Sequence, residues 1–368
     1  MESKKYTFCL AMICNNNETN ILDTLNNIYK YIDYWVICDT GSNDKTVEII
    51  EKFFKEKDIT GEMYIDEWKS GEYNKTLLFN RCYKKTDFFI YLNTKYILKN
   101  EIPLQELDIE KIGYDINIKN NSIINKKILI FNNHYKWKAF GITNTLNVCI
   151  NNYSNLLKGN FKNEITIINL KNNLYDNIDY SSILKEQFFD TLINDNNNLN
   201  SYYAFYTANK YFEFNNYNEA CNWYSLYSRL KNIQNEILYE CYNKIIICMI
   251  KMNYCIDKII LTARKGIELF DDRAEIYFIL SDYFLKFEKY DLAFFNIIKA
   301  SECNFKDVCK KYNLFIDENC YFEKNIFLIC FLSLKTGNIE YGKKILNNFP
   351  NIDNDEKNKI IELFKTNK

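Results

Sequence analysis

The chain has 368 residues, a formal net charge of −1, 47% hydrophobic residues and 17% aromatic residues. That length suits two domains, and a near-neutral charge without a basic stripe excludes a bulk nucleic-acid binder, which needs a clustered positive field. The 13 cysteines form no CxxC pair and His134 is the one histidine, so a Cys/His zinc knuckle is excluded.

Scattered thiols on apolar segments suit a reducing compartment, and the expected location is cytoplasmic. Lys4 and Lys5 before Tyr6 imitate the start of a signal peptide. The apolar stretch to Cys14 is short, runs into Asn15-Asn16-Asn17-Glu18 and has no small-residue cleavage site, so it reads as a first strand. No apolar run approaches the roughly 18 residues that span a bilayer. Heavy use of Asn, Ile, Lys and Tyr, with only two Pro, reads as the bias of an AT-rich coding genome. Asn-rich stretches such as Asn194 to Asn200 are then expected to be loops.

In chain order, Phe8–Cys14 reads as a strand and Thr19–Tyr31 as a helix with Ile21, Leu22, Leu25 and Ile28 at helical spacing. Trp35–Cys38 is a second strand. Ser42 or Asn43 is expected to cap a helix carrying Val47, Ile49, Ile50, Phe53 and Phe54. Met63–Ile65 is a third strand, Asn74–Lys84 a helix and Phe88–Leu92 a fourth strand. This β-α-β-α-β-α-β order predicts a mostly parallel sheet covered by helices. Ligands of such sheets bind at the carboxyl ends of the strands, where Asp39 and Asn93 both fall. From Tyr114 to about Ile168, short strands alternate with Asn-rich turns.

Beyond Asn200 the pattern is helical to the end. Turns recur at Tyr217, Tyr254, Tyr290 and Ile339, 37, 36 and 49 residues apart, and Ala220, Ala293 and Gly342 each follow a turn by three residues. The first two spacings lie near the tetratricopeptide period of about 34 residues. A small residue there lets paired helices approach closely. A generic helical bundle is the alternative.

The segment Asp39-Thr40-Gly41-Ser42-Asn43-Asp44-Lys45-Thr46, following Tyr34–Cys38, resembles the nucleotide-binding turn of family 2 glycosyltransferases of the GT-A fold. Cys14-Asn15-Asn16-Asn17-Glu18, Trp68 through Asn74-Lys75, Asp87–Leu92 and Trp137–Thr145 resemble further segments of that family in the same order, over roughly residues 6 to 150. The resemblance implies a GT-A domain over about 1–195, a tetratricopeptide-like helical domain over about 200–368, and transfer of a sugar from a nucleotide sugar, possibly UDP-linked, to a protein or glycan acceptor. The helical half would recognise that acceptor, bind a protein partner or self-associate, with no nucleic acid and no membrane span. The resemblance assigns Asp39, Thr40, Gly41, Asn74, Lys75, Asn93 and Lys95 to the donor.

Two departures oppose catalysis. Where the family carries Asp-X-Asp, this chain has Asn93-Thr94-Lys95: one neutral carbonyl and one ammonium, a poor set for a divalent cation. Where it carries His-Glu, this chain has Asn144-Thr145, neither of which titrates near neutrality. No metal is therefore expected. Either Lys95 with Lys75 supplies the charge directly, or the site is inactive, Lys95 is a surface lysine, and the protein is a pseudo-glycosyltransferase serving as a scaffold. No catalytic residue is assigned; Asp66, Glu67 and Glu72, around Trp68, are candidate bases, and His134 is expected to be an exposed loop residue.

Overall fold

The computed structural model describes residues 6–140, 146–149, 157–159, 161–162, 165–169, 185, 188, 197–231, 233–321, 323–348 and 362. Two units divide the chain: Met1–Asn121 with Asn125–Asn177, and Ser122–Ile124 with Ile178–Lys368. The sequence reading drew this boundary near residue 195. The first unit is an α/β domain with a mixed sheet and the second a helical-repeat domain.

The α/β unit opens β1 (Phe8–Cys14), α1 (Ile21–Ile28), β2 (Tyr34–Asp39), α2 (Thr46–Glu56), β3 (Gly61–Ile65), α3 (Gly71–Cys82), β4 (Phe88–Asn93). It continues β5 (Tyr96–Leu98), β6 (Gly113–Asn120), β7 (Ile123–Asn132), β8 (Trp137–Phe140), β9 (Leu146–Cys149) and β10 (Thr166–Asn169). The main sheet runs β3-β2-β1-β4-β7-β6-β10-β5. The pairs β1–β2, β2–β3 and β1–β4 are parallel, while β7 runs antiparallel to β4. Strands buried on both faces must be apolar throughout, and β1 is: from Phe8 to Met12 no side chain reaches solvent.

Alternation sorts the side chains onto two faces. Trp35 stacks on Phe54 of α2 at 4.7 Å, while Cys38 receives a hydrogen bond from Arg81 of α3. The α3 face also holds Phe89 and Phe131, stacked at 4.7 Å, with Phe79 of α3 against both.

Two boundaries differ from expectation. Helix α2 begins at Thr46, and neither Ser42 nor Asn43 caps it; the Asp44 carboxylate accepts from the Thr46 N–H instead. Helix α3 begins three residues before Asn74, capped by Ser70, whose hydroxyl accepts from the Tyr73 N–H. A Ser-X-X-Tyr cap carries less sequence contrast than the apolar residues behind it.

In the helical unit the order is α4 (Asn197–Glu213), α5 (Tyr217–Tyr227), α6 (Asn235–Lys251), α7 (Ile256–Leu269), α8 (Glu275–Lys286), α9 (Tyr290–Glu302), α10 (Phe305–Lys311), β11 (Ile316–Asp317), α11 (Glu323–Lys335) and α12 (Ile339–Asn348). Asn197 to Asn200 lie within α4, not in the loop expected, while Asn194 to Asn196 lie outside the described residues. Three of the four repeated turns share one device. Asn215, Asn253 and Glu288 adopt left-handed backbone. The next N–H reaches back five residues, Asn216 to Tyr211, Tyr254 to Met249 and Lys289 to Phe284, at 2.8 to 3.0 Å. This is the Schellman closure of a helix. Ala220 and Ala293 have no exposed surface and Gly342 is buried, as close helix approach requires. The longer last spacing is explained by α10 and β11, inserted between α9 and α11.

The helical core is pinned by a buried ion pair. Arg273, with no exposed surface, donates to Glu275 through Nε at 3.1 Å and Nη2 at 2.9 Å, and to the carbonyls of Leu314 and Phe315. Glu275 also accepts from Tyr239, Tyr321 and the Asp317 N–H. Removing one partner of such a pair leaves a buried charge unanswered. Arg273→Ala is expected to cost about 3–5 kcal/mol, read as a lower urea midpoint; a loss below about 1 kcal/mol would show the network to be dispensable.

Candidate functional site

The carboxyl edge of the parallel strands is built from two loops hydrogen-bonded into one body. Asp39, the last residue of β2, is 1% exposed. Its Oδ1 accepts from the N–H groups of Gly41 at 2.9 Å and Ser42 at 2.8 Å. Its Oδ2 accepts from the Ser42 hydroxyl and from the Cys14 thiol at 3.5 Å. Burial and the Asp39 charge together push the Cys14 thiol far above the usual range, so it stays a neutral donor. The carboxylate thus folds its own turn before it can meet anything else.

The loop after β1 is tied to that turn by side chains. Asn15 Nδ2 donates to the Thr40 carbonyl at 3.0 Å, and the Asn16 N–H donates to Ser42 Oγ at 2.8 Å. The Asn43 N–H returns to Asn16 Oδ1 at 2.9 Å, and the Asn17 N–H reaches Thr46 Oγ1 at 2.7 Å. Thr40 donates twice to the Cys14 carbonyl, from N–H and hydroxyl. Gly41 has φ of +95°, and a Cβ built on it would meet nothing within 4 Å. Only glycine adopts this backbone cheaply, and the space over it is open.

Register places the second turn beside the first. Cys14 pairs with Asp39, and Ile13 pairs with Asn93. Two strand spacings separate β2 from β4, about 10 Å. Asn93 Oδ1 accepts from the Lys95 N–H at 3.3 Å and the Thr94 hydroxyl at 3.4 Å, and the Thr94 carbonyl accepts from Thr24 of α1 at 2.7 Å. The Asn93 carbonyl therefore shapes its own turn. With an ammonium two residues on, this donor set does not fit a divalent cation. Among the described residues no cluster of three or more His, Cys, Asp or Glu side chains is arranged to hold a metal.

Asn74, 1% exposed, accepts from the N–H groups of Lys69 at 2.9 Å and Ser70 at 3.2 Å and donates to the Glu67 carbonyl at 2.9 Å. Its amide holds the 67–70 loop, a structural task the sequence did not reveal. Lys75, one residue on, lies over the Tyr91 ring at 4.6 Å. Burial first, and then the nearby Lys127 ammonium, bring its pKa down to about 7.

Lys127 was not singled out from the sequence, and geometry puts it here. On β7, Ile130 pairs antiparallel with Ile90 of β4. Three residues back is Lys127 and three forward is Asn93, so the register carries both to the same end. Lys127 is in phase with Leu129 and Phe131, and Asn93 with Phe89 and Tyr91, so both belong to the α3 face. Lys127 is exposed to solvent there. A lysine in phase with two buried residues was the legible signal.

Among the candidate bases, Asp66 is already engaged. Arg81 holds it through Nη2–Oδ1 at 2.8 Å and Nη1–Oδ2 at 2.5 Å and stacks over Tyr64 at 3.9 Å. This bidentate pair depresses the Asp66 carboxyl, the wrong direction for a base at neutral pH. Glu67 is exposed, and Glu72 stands 3.8 Å from Lys138. His134 lies 3.3 Å from Asp87, before the start of β4 and at the opposite end of that strand from Asn93. Gly141 to Thr145, which include Asn144-Thr145, lie outside the described residues.

No protein-family model matches this chain, and no curated protein matches it. Solved structures resemble it weakly. S. aureus TarS 1-349 in complex with UDP-GlcNAc is 10% identical with a TM-score of 0.37, over 80% of this chain and 91% of that one. GalNAc-T7 with UDP, GalNAc and Mn2+ is 13% identical with a TM-score of 0.27, over 39% of this chain and 29% of that one. MamA 41-end from Desulfovibrio magneticus RS-1 is 9% identical with a TM-score of 0.30, over 51% of this chain and 97% of that one. These likenesses assign no residue and no activity.

Two outcomes follow from this geometry. Asp39→Ala removes four acceptor contacts and is expected to destabilise the protein by about 2 kcal/mol, measured as a lower melting temperature; an unchanged melting temperature would mean the turn holds without it. Asp66 has a folded pKa below its unfolded value, so its contribution is full above the unfolded value and is lost as pH falls through the depressed one. Arg81→Gln should therefore flatten the acid limb of the stability curve, and an acid limb identical to that of the parent chain would exclude the pair as its source.

Proposed function

We propose that the α/β unit binds a nucleotide sugar along the carboxyl edge of β1, β2 and β4, without a metal, and transfers the sugar to a protein or glycan acceptor. A uridine diphosphate donor is the first candidate. The observation that carries this reading is the pairing of two preformed turns at one edge, Asp39–Thr40–Gly41 and Asn93–Thr94–Lys95, about 10 Å apart across β1. The first, open over Gly41, lets a flat ring approach the backbone. The second, with Lys75 of α3, brings positive charge to where a diphosphate would follow. In this reading the Asp39 carboxylate orders the turn, and the nucleoside reads Gly41, Ser42 and Thr40 as that turn presents them. The helical unit recognises the acceptor or a protein partner on a repeat surface.

A second reading has an observation of its own. Asp66 is locked to Arg81 and Glu72 faces Lys138 at 3.8 Å, so two of the three carboxylates around Trp68 are engaged with cations of the protein. The protein then binds the nucleotide sugar without turning it over and acts as a scaffold. Transfer assays with labelled donor separate the two readings.

The donor site itself is tested by thermal stability against nucleotide sugars in EDTA. A ligand at about a hundred times its Kd stabilises by about 2.7 kcal/mol, and Asp39→Ala should abolish that rise. Asp39→Asn, which keeps an acceptor for the Gly41 and Ser42 N–H groups, should retain most of it. A rise of full size in Asp39→Ala, or one that appears only with Mn2+, would refute the assignment.

A further inference from the structure

The turns at Asn215, Asn253 and Glu288 divide much of the helical unit into the pairs α4/α5, α6/α7 and α8/α9. One short segment, 313–317, follows α10, ends in β11 and meets the first helix of each pair. On α4, Phe205 meets the Phe315 ring edge-on at 5.5 Å. In the first turn of α6, one Glu236 oxygen accepts from the N–H groups of Asn313 at 2.7 Å and Leu314 at 2.6 Å. At the start of α8, Arg273 donates to the carbonyls of Leu314 at 3.1 Å and Phe315 at 2.6 Å, and Glu275 accepts from the Asp317 N–H at 3.1 Å. All of these hydrogen bonds go to main-chain atoms of the segment. Three charged side chains therefore read a peptide backbone and not a particular sequence.

The segment is held against its own preference. Phe315 has φ of +57°, in the left-handed region where Cβ crowds the following carbonyl, and a bulky aromatic residue there is an outlier. Such strain persists only where surrounding contacts over-determine the backbone, and it gathers at ligand clamps and switch regions.

Departure of the segment would strand no charge. Arg273 and Glu275 keep each other through Nε at 3.1 Å and Nη2 at 2.9 Å, and Glu236 is half-buried at a helix start. Water can then answer the groups that the backbone leaves. Within the segment only Ile316 is buried. Ile316 and Asp317 also pair with Ile124 and Ile123, residues that count with the helical unit, and this two-residue ladder is the segment's further tether.

We propose that 313–317 is an internal peptide ligand that closes the first-helix side of the array, and that a segment of a protein partner docks there by displacing it. The contacts define the partner's chemistry: a main chain with successive N–H groups for Glu236 and successive carbonyls for Arg273, an aromatic residue against Phe205 and an aliphatic one beside it. Recognition through the main chain tolerates many sequences, and repeat arrays offer extended surfaces of this kind. The inference rests on the reading that the helical unit takes a protein partner; it adds the place and what closes it. A competitor on the same chain acts at high effective concentration. The partner's apparent affinity is therefore reduced by the fraction of molecules in which the site is open.

Hydrogen exchange and peptide binding on the full chain provide the test. The amides of Leu314 and Asp317 should open roughly tenfold or more often than those in the middle of α6, as local opening precedes global unfolding. The binding probe is a fluorescently labelled peptide of residues 312–318, followed by anisotropy. Asn313→Pro removes one N–H given to Glu236. Tyr312 before it has φ of −118° and ψ of 154°, extended backbone that a following proline accepts. This variant should bind the peptide roughly tenfold or more tightly than the parent chain. Asn313→Ala keeps the N–H and should bind as the parent does.

If the Leu314 and Asp317 amides of the parent open no more often than the middle of α6, the segment is a fixed clasp and the inference is overturned, whatever Asn313→Pro does to folding. Peptide bound equally by the parent and a folded Asn313→Pro would put the partner surface elsewhere on the repeats: the partner reading survives and this inference falls. No binding to either chain removes both. A rise in melting temperature with UDP-hexose, measured on the same proteins, keeps the donor-site reading separate from each result.

Discussion

Asp39 is the constraint on which the site depends. A carboxylate with 1% exposure is tolerated only when its oxygens are answered, and here two backbone N–H groups, a hydroxyl and a thiol answer them. The result is a turn whose shape is set before any ligand arrives. Because the loop after β1 is hydrogen-bonded to that turn through Asn15, Asn16 and Asn17, the carboxyl ends of β1 and β2 behave as one surface. Preorganisation of this kind lowers the ordering cost of binding.

Charge reaches the same edge differently. The Asn93 turn is held by its own amide and by Thr24, so β4 ends in a fixed loop with no anionic ligand for a cation. What replaces the missing carboxylates is distributed over three elements: Lys75 on α3, Lys95 after β4 and Lys127 on β7. None of these is informative alone. Together they put positive charge on the side of β4 away from the Asp39 turn, which gives the edge a polarity from the β2 end to the β7 end.

Much of the α/β unit was legible in the sequence because its signals were strong ones. Phe8–Cys14 and Phe88–Leu92 are unbroken apolar runs, and both strands lie where expected. The acidic Gly turn after Cys38 announced the edge. What escaped was set by tertiary contacts. Nothing local marks Asn74 as the clamp of the 67–70 loop, since an Asn at the head of a helix fits solvent equally well. Lys127 becomes meaningful only when β7 pairs antiparallel with β4. Asp66 reads as a free acid until Arg81, on the next helix, closes on it. In the helical unit the repeat spacing was visible, but Glu288 in a left-handed cap was not, because glutamate carries no propensity for that conformation. Asn197 to Asn200 misled for the opposite reason, as their composition suggested a loop while they lie within a helix.

The scarcity of arginine organises the rest. The chain has four: Arg81, Arg229, Arg264 and Arg273. Arg229 and Arg264 are exposed. The other two are spent as clasps, Arg81 on Asp66 and Arg273 on Glu275, each bidentate. A planar fork with permanent charge suits a fixed pair, and in each unit it fixes a connecting loop to a helix. Anion recognition at the sheet edge is then left to lysine, which brings one point charge and a pKa that follows its surroundings. A divalent cation held by carboxylates would present the same charge at any pH near neutrality. Replacing carboxylates with Asn93 and Lys95 therefore changes the kind of electrostatics available at the edge, from anionic oxygens to a neutral amide and an ammonium.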